Sequence, residues 1–300
     1  MIQTSAPGKL MLLGDYSVVY NNPCLVTAVD KRLYVEADII EAETDEIITP
    51  QVKESRFVLE TIAHFKNTFS IRQSIRIKTQ GDFSHQVGLG SSSAVTVATL
   101  EALNMLFKKN LNKRQLFDMC YSITLSIQGV GSGFDIAAAV YGGTQYYVTG
   151  GKIIEPVNLA SLPLVVGYSG IKADTPYYIR KVAEAFKYKK EELHDIFLSI
   201  TDLVEEAKLG LQKEDFSQVG LCMTQNHSLL QKLGVSIPKL DEMVLAANAS
   251  GAWGAKLSGA GGGDCMIALV SEDKRNDVIR AIEKVGGEVI HVGLNAQGVQ

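Results

Sequence analysis

The stretch from Gly88 to Val95, GLGSSSAV, has the residue types that bind a phosphate group. It leads into residues 94–107, which are small or apolar on nearly every face and are predicted to form a buried helix. The free backbone N–H groups and the positive dipole end of a helix N-terminus together attract anions. The serine hydroxyls can cap the helix or bind Mg²⁺. The octapeptide alone also fits an ordinary N-cap loop with small residues for close packing.

A second glycine-rich turn carries a carboxylate suited to acid–base chemistry. Asp135 directly follows the segment Gly131 to Phe134 and precedes a run of small, apolar residues. A carboxylate so placed is poorly solvated, and such groups usually have a cationic partner or a chemical task. Taken alone, Asp135 also fits a simple helix N-cap.

A lysine and a third glycine-rich turn complete the set. Lys9 follows Pro7-Gly8 at the mouth of the first predicted strand, where a solvated surface lysine is the alternative interpretation. Residues 259–263 contain four glycines, which allow backbone conformations and close approaches that side chains would block. Three such turns that could converge on a polyphosphate, with one lysine and one aspartate, indicate phosphoryl transfer.

The two commonest nucleotide-binding patterns are absent from the sequence. It contains neither a GxxxxGK[ST] loop nor the HRD and DFG segments of protein kinases. Gly88-Leu89-Gly90 lacks the third glycine and the later acidic residue of a dinucleotide-binding turn.

Composition limits the partners of this 300-residue chain. It is 46% hydrophobic, which is enough for two domains, and we place their boundary near residue 155, giving domains 1–155 and 156–300. The 29 basic and 33 acidic side chains give a net charge of −4, which predicts no nucleic-acid partner and no membrane partner. With no signal peptide and no 18-residue apolar run, we expect a cytoplasmic protein. We expect a monomer or a homodimer, between which the sequence does not decide.

Neither the cysteines nor the histidines form a metal-binding pattern. The four cysteines are widely spaced and are predicted to be reduced core residues: Cys24, Cys120, Cys222 and Cys265. The five histidines form no visible pair and are assigned no role: His64, His85, His194, His227 and His291.

Predicted strands and helices place the three turns between regular elements. The chain opens with strands ending near Leu13, Val29 and Ile40, and an amphipathic helix is predicted over 113–127 with Asn112 as its N-cap. In the second half, Thr175-Pro176 has the residues of a helix start, and further helices and strands surround residues 254–265.

Three motifs in order resemble the signatures of the GHMP kinases. They are PGK at 7–9 with GDY at 14–16, GLGSSSA at 88–94, and SGAGGGD at 258–264. The resemblance implies an α+β, two-domain fold with an N-terminal mixed α/β domain, a ferredoxin-like C-terminal domain and the active site between them. It also implies ATP and Mg²⁺ as cofactors.

Within that family the motifs are most similar to those of phosphomevalonate kinases. QGVGSGFD at 128–135 and the GGGDC ending at 261–265 carry this likeness, whereas residues 226–236 and 254–257 look more like mevalonate kinase. Mevalonate kinases also place a Mg²⁺-binding glutamate where this chain has Thr124. The resemblance therefore implies a small-molecule acceptor, 5-phosphomevalonate, with mevalonate or another small alcohol as the alternative. A catalytically silent homologue is disfavoured because Lys9, Ser92 and Asp135 are all present.

The same resemblance assigns roles to particular residues. Lys9 and Asp135 are the expected catalytic pair: Lys9 would neutralise charge on the phosphoryl group, and Asp135 would accept a proton or orient Lys9. ATP phosphates are expected on Gly88, Leu89, Gly90, Ser91, Ser92 and Ser93, with Ser92 also binding Mg²⁺. The acceptor is expected on Ser132, Gly133, Ser169, Lys172, Ser258, Gly259, Ala260 and Gly261. Lys172 and Arg32 are candidates for the acceptor's own phosphate.

Overall fold

The fold consists of two antiparallel-rich sheets, each covered by helices. A computed structural model describes residues 1–52, 55–84 and 87–300, so His85 of the histidines above lies outside it. The first sheet has the strand order β3-β4-β2-β5-β6, with β1 also paired to β2. Its elements are β1 (Ile2–Leu13), β2 (Pro23–Ile40), β3 (Glu46–Ile48), α1 (Arg56–Phe69), β4 (Ser74–Gly81), α2 (Ser91–Leu106), α3 (Lys113–Gln128), α4 (Phe134–Tyr141), β5 (Thr144–Val148) and β6 (Ile153–Pro156).

The second sheet lies in the C-terminal half and has the order β10-β7-β9-β8, antiparallel throughout. Its elements are β7 (Leu164–Tyr168), α5 (Thr175–Ala185), α6 (Lys190–Gln212), α7 (Phe216–Lys232), α8 (Pro238–Ala249), β8 (Gly254–Ser258), β9 (Cys265–Leu269), α9 (Arg275–Lys284) and β10 (Glu288–Ile290). The two-domain α+β prediction is confirmed. Across the described residues, no helix is long and apolar enough to cross a bilayer.

Strand β2 is continuous where the sequence predicted one or two strands. In the pairing with β1, Pro7 lies opposite Arg32 but the next residue, Gly8, lies opposite Val29. Two residues of β2 are left without a partner in β1 at this irregularity, and both strands continue past it. Lys9 therefore lies inside β1, paired with Ala28, and the prediction that it sits at the strand's mouth is wrong.

Strand β1 contributes to both hydrophobic cores because its side chains alternate. Met11 packs into the core beneath α1 to α4, while Leu10 and Leu12 belong to the core of the C-terminal half. The residues after β10 return to the first sheet, where the backbones of Ser5 and Gln300 exchange hydrogen bonds of 2.8 and 3.0 Å. The domain boundary at residue 155 remains a prediction.

Two helix starts agree with the sequence to within one residue, whereas α2 begins at Ser91, three residues before the predicted Ala94. Asn112 caps α3, as predicted, and it also forms a capping box with Gln115. At α5 the cap is Asp174 rather than Thr175, because the Asp174 carboxylate accepts the Tyr177 N–H at 2.9 Å. The four cysteines are free and buried, which confirms that prediction.

Candidate active site

The GLGSSS turn presents an uncapped helix start. Gly88 and Gly90 have φ angles of 76° and 77°, the left-handed region that favours glycine. Gly90 is the N-cap of α2 and has no side chain to satisfy the first-turn N–H groups. These groups and the helix dipole remain available to an anion. Helix α2 itself is almost entirely buried from Ser93 to Asn104, as predicted.

Lys9 reaches this turn from β1. Its backbone N–H donates to the carbonyl of Leu89 at 2.9 Å, and its Nζ donates to the carbonyl of Gly88 at 3.1 Å. The side chain passes Gly90, where an added Cβ would lie 3.0 Å from the lysine Cγ. Nζ also lies 5.6 Å from the ring centroid of Phe134, at the start of α4. The ammonium group is therefore placed between the GLGSSS turn and the N-terminus of α4.

Asp135 lies in the first turn of α4, where the helix dipole favours a carboxylate. Its Oδ2 accepts a hydrogen bond of 2.5 Å from the hydroxyl of Ser93, and its Oδ1 accepts the N–H of Ile136 at 3.0 Å. The structure thus pairs the carboxylate with Ser93, whereas the sequence suggested Lys9 as the group it orients. Because the Ser93 hydroxyl is buried and committed to Asp135, Ser93 can offer a nucleotide its backbone N–H but not its hydroxyl.

Ser132 and Gly133 close the turn before Asp135 mainly by packing. The Ser132 carbonyl accepts a hydrogen bond from the hydroxyl of Tyr147. A Cβ on Gly133 would lie 2.7 Å from that same hydroxyl and 2.8 Å from the ring of Tyr121. Glycine is required here because the φ angle is 87° and two tyrosines occupy the space.

The third glycine-rich turn is divided into an open and a packed part. Gly259 and Ala260 are half-buried, and no atom lies within 4 Å of a Cβ built on Gly259. By contrast, a Cβ on Gly261 would lie 2.2 Å from the carbonyl oxygen of Val235. The open side of this turn is therefore at 259–260.

Ser258 and Ser169 have hydroxyls that already bond to the chain. Ser258 Oγ accepts the N–H of Met11 at 3.1 Å and donates to the Met11 carbonyl at 2.9 Å. Ser169 Oγ accepts the N–H of Ile171 at 3.3 Å. Both serines are buried, so their observed bonds position loops.

Asp264 holds the segment that contains Lys172 against the third turn. Its Oδ1 accepts the Ala173 N–H and the Lys172 ammonium, each at 3.1 Å. A Cβ on Gly88 would lie 2.6 Å from the Asp264 side chain, so this ion pair adjoins the GLGSSS turn. Arg32, the other candidate for an acceptor phosphate, donates instead to Ser5 and to the carbonyls of Gln297 and Gly298. Its guanidinium is occupied in holding the C-terminal segment.

A buried ion pair behind the site was not predicted from the sequence. Asp15 Oδ2 lies 2.6 Å from Lys256 Nζ, and neither side chain is exposed. Burial lowers the pKa of Lys256, while the neighbouring Asp15 charge opposes that shift. His227 is nearby: its Nδ1 accepts the Leu257 N–H at 3.3 Å and its Nε2 lies 3.1 Å from Asp241. The sequence features that could have indicated this ion pair are Asp15 in the GDY segment and Lys256 before the third turn.

The residues present fit a magnesium ion carried by a nucleotide. The described part of the chain contains no cluster of three His, Cys, Asp or Glu side chains that could hold a metal. Mg²⁺ commonly keeps several waters and binds through one or two protein ligands plus substrate phosphates. Ser92 is half-buried at the start of α2 and can supply a hydroxyl. Thr124, at the glutamate position discussed above, is buried with its hydroxyl unpartnered among the described residues.

Comparison with known proteins supports the three-motif interpretation. Residues 56–143 match the model of the GHMP kinases N terminal domain, and residues 207–288 match that of the GHMP kinases C terminal domain. A curated mevalonate kinase from Pyrococcus abyssi is 33% identical to the chain, and the alignment covers 100% of the chain and 97% of that protein.

Solved structures share the fold at lower identity. The Lin0012 protein from Listeria innocua superimposes with a TM-score of 0.89 at 22% identity, covering 100% of this chain and 99% of that one. Streptococcus pneumoniae phosphomevalonate kinase, in complex with phosphomevalonate and AMPPNP, gives a TM-score of 0.88 at 18% identity, covering 98% and 100%. At these identities the structures establish the fold alone.

Proposed function

Because the chain belongs to the GHMP kinase family, we propose that it transfers the γ-phosphoryl group of ATP to the primary hydroxyl of mevalonate. The observation that carries this choice is the full-length relationship, at 33% identity, to a protein named mevalonate kinase. The sequence motifs alone favoured 5-phosphomevalonate, so the proposed acceptor is the alternative of that prediction.

The charge arrangement also supports an acceptor without a phosphate. A phosphomonoester needs cations to replace its water, and Arg or Lys side chains usually supply them. The two candidate cations are committed elsewhere: Lys172 to Asp264, and Arg32 to backbone carbonyls and Ser5. A hydroxyl acceptor requires neither.

A hydroxyl acceptor does require a base, and Asp135 suits that role. The new bond forms between the acceptor oxygen and the γ-phosphorus, the bond from that phosphorus to the β–γ bridging oxygen breaks, and ADP leaves. The hydroxyl proton passes to Asp135, whose carboxylate is held by Ser93 and the Ile136 N–H. Lys9 offsets the charge on the transferring group, and the N–H groups at the start of α2 hold the phosphates. Ser92 would help to hold a magnesium ion, whose charge would further offset that of the phosphates.

The test is mevalonate-dependent ADP release by the wild-type protein and by Asp135→Asn. Asn keeps the size of the side chain and can still accept from Ser93, but it cannot take a proton. We expect kcat to fall about 10²- to 10⁴-fold, the usual contribution of a general base, with MgATP binding retained. A kcat for Asp135→Asn equal to that of the wild type would contradict the role of Asp135. Absence of mevalonate-dependent ADP release from the wild type would overturn the proposed acceptor.

A second candidate acceptor is 5-phosphomevalonate, favoured by the QGVGSGFD segment and by one feature of Lys172. The Lys172 side chain is 48% exposed, so its ammonium can exchange the Asp264 carboxylate for a ligand phosphate. Its position beside Gly88 would place such a phosphate near the phosphate-binding turn. Turnover on this acceptor in the same assay would support the second candidate.

A further inference from the structure

Two consecutive side chains of the GDY turn after β1, Asp15 and Tyr16, form hydrogen bonds with the third glycine-rich turn. Asp15 Oδ1 accepts the N–H of Gly259 at 2.7 Å. The hydroxyl of Tyr16 donates to the carbonyl of Ala260. Each of these side chains lies more than 240 residues in sequence from its partner. One segment of the N-terminal half thus fixes the peptide group before Gly259 and the one after Ala260, on either side of the open part of the third turn.

The electrostatics of Asp15 indicate a positioning role. Its second oxygen is paired with Lys256 in a fully buried contact, and Lys256 Nζ also donates to the carbonyl of Leu257. A buried ion pair pays a large desolvation penalty, so net stability alone is a weak reason for it to be present. Specifying one arrangement of the groups around it is the better-attested use of such a pair.

The backbone of Tyr16 is strained in the same place. Its φ angle of 62° is unusual for a bulky residue and has a free-energy cost. Burial and the adjacent Asp15 charge raise the pKa of the Tyr16 hydroxyl, so it remains a proton donor. The strained conformation lets the hydroxyl reach Ala260 while the preceding residue reaches Gly259.

We infer that Asp15 and Tyr16 are positioning residues for acceptor binding. By bonding the Gly259 N–H and the Ala260 carbonyl, they hold residues 259–260 at the position where the acceptor contacts the third turn. Neither side chain is itself free to bind the acceptor, because both are buried and hydrogen-bonded to the turn. This inference rests on the proposed function in taking the turn at 259–260 as an acceptor contact.

Tyr16→Phe tests the second contact because it removes one hydroxyl and keeps the ring. We expect the KM for the acceptor to rise about five- to tenfold, the effect of one lost hydrogen bond, with kcat and the KM for ATP within about twofold of wild type. Tyr20→Phe is the matched control, since Tyr20 is 45% exposed and its ring packs at a tilt against that of Phe197. An unchanged acceptor KM, or equal rises in both KM values, would overturn the inference for Tyr16.

Two double variants test Asp15 without leaving a buried lysine unpaired. Asp15→Asn/Lys256→Met and Asp15→Ala/Lys256→Met are both neutral at this site, but only the first keeps an acceptor for the Gly259 N–H. We expect the asparagine variant to bind the acceptor within about threefold of wild type and the alanine variant to bind it at least fivefold more weakly. Equal acceptor KM values in two folded variants would overturn the role of Asp15.

Amide hydrogen exchange over residues 258–263, measured without substrate, separates this inference from the proposed function. Faster exchange in Tyr16→Phe and in the alanine double variant, but not in Tyr20→Phe, supports positioning. If wild type turns over neither mevalonate nor 5-phosphomevalonate but the exchange differences appear, the proposed function fails and the positioning of the turn stands. Unchanged exchange in both variants would overturn the positioning itself.

Discussion

The hydroxyl of Ser93 donates to Oδ2 of Asp135 across 2.5 Å, so the first turns of α2 and α4 are joined at the proposed catalytic carboxylate. The proposed phosphate-binding turn lies at the start of α2, and the carboxylate of Asp135 lies in the first turn of α4. The hydrogen bond from Ser93 therefore sets the distance between this turn and the carboxylate, and it holds the Asp135 side chain in one rotamer.

Replacing Ser93 by alanine should therefore slow the chemical step without abolishing nucleotide binding. We expect kcat with mevalonate to fall about tenfold, which corresponds to about 1.4 kcal/mol of transition-state stabilisation. The KM for ATP should change little, since the Ser93 backbone N–H is retained. Steady-state kinetics compare this variant with Ser199→Ala, which removes a hydroxyl from the exposed face of α6. Wild-type kcat in Ser93→Ala would contradict the role of the hydrogen bond.

Gly88→Ala should weaken ATP binding more than Gly129→Ala does, although the backbone strain of the two substitutions is similar. Gly88 and Gly129 have φ angles of 76° and 74°, so alanine is strained at either position by about 1–2 kcal/mol. At Gly88 the added Cβ would also lie 2.6 Å from the Asp264 side chain, while at Gly129 no atom lies within 4 Å. We expect the KM for ATP to rise at least tenfold in Gly88→Ala and to stay near wild type in Gly129→Ala.

Denaturant unfolding of the same two variants completes that comparison. Gly88→Ala should lose more unfolding free energy than Gly129→Ala, because the phosphate-binding turn or Asp264 must shift. Equal losses in the two variants would mean that the contact with Asp264 is easily relieved.

Lys172→Ala distinguishes a loop contact from an acceptor contact. Because the lysine is half exposed, its pair with Asp264 should contribute less than about 1 kcal/mol to stability. With mevalonate as acceptor, kcat/KM should stay within about threefold of wild type. Lys189→Ala, which breaks an exposed pair with Glu192, serves as the control. A loss above tenfold in Lys172→Ala alone would show that the ammonium binds the acceptor.

His227 should make the protein less stable in mild acid. Burial lowers the pKa of this imidazole below its ordinary value of about 6.5, although the neighbouring Asp241 opposes the shift. Below pH of about 6.5 the unfolded chain binds a proton that the native ring does not yet take up. The His227 contribution to the unfolding free energy is therefore complete above that pH and is lost as the pH falls through the native pKa.

Urea unfolding at several pH values between 5 and 7 measures this loss. The decrease in unfolding free energy with falling pH should be steeper for wild type than for His227→Gln, which has no titratable ring. Identical pH slopes for the two proteins would contradict a lowered His227 pKa.

The local parts of the site were predictable from sequence because their signals lie within a few residues. The glycines and serines at 88–93 predict a turn that leads into a helix, and the small residues after Ser93 predict that this helix is buried. Both predictions are confirmed. The Asp135 turn was identified in the same way, from glycines and a carboxylate next to an apolar run.

The partners of these side chains were not predictable, since they come from distant segments. Ser93 and Asp135 lie 42 positions apart, and Asp15 and Lys256 lie 241 apart. Arg32 was a candidate for an acceptor phosphate because nothing local showed that residues 297–298 return to meet it. The sequence left open whether residues 25–40 form one strand or two, because no residue there marks the pairing irregularity between Pro7 and Gly8 that lets β2 continue.

The most direct test of the proposed function is the ratio of kcat/KM values for mevalonate and 5-phosphomevalonate, each offered with MgATP to the wild-type protein. The occupied Lys172 and Arg32 and the carboxylate base predict a ratio of at least 100 in favour of mevalonate, a difference of about 2.7 kcal/mol in transition-state binding. A ratio below one, with ADP released mainly in the presence of 5-phosphomevalonate, would contradict the account and assign the chain to the phosphorylated acceptor.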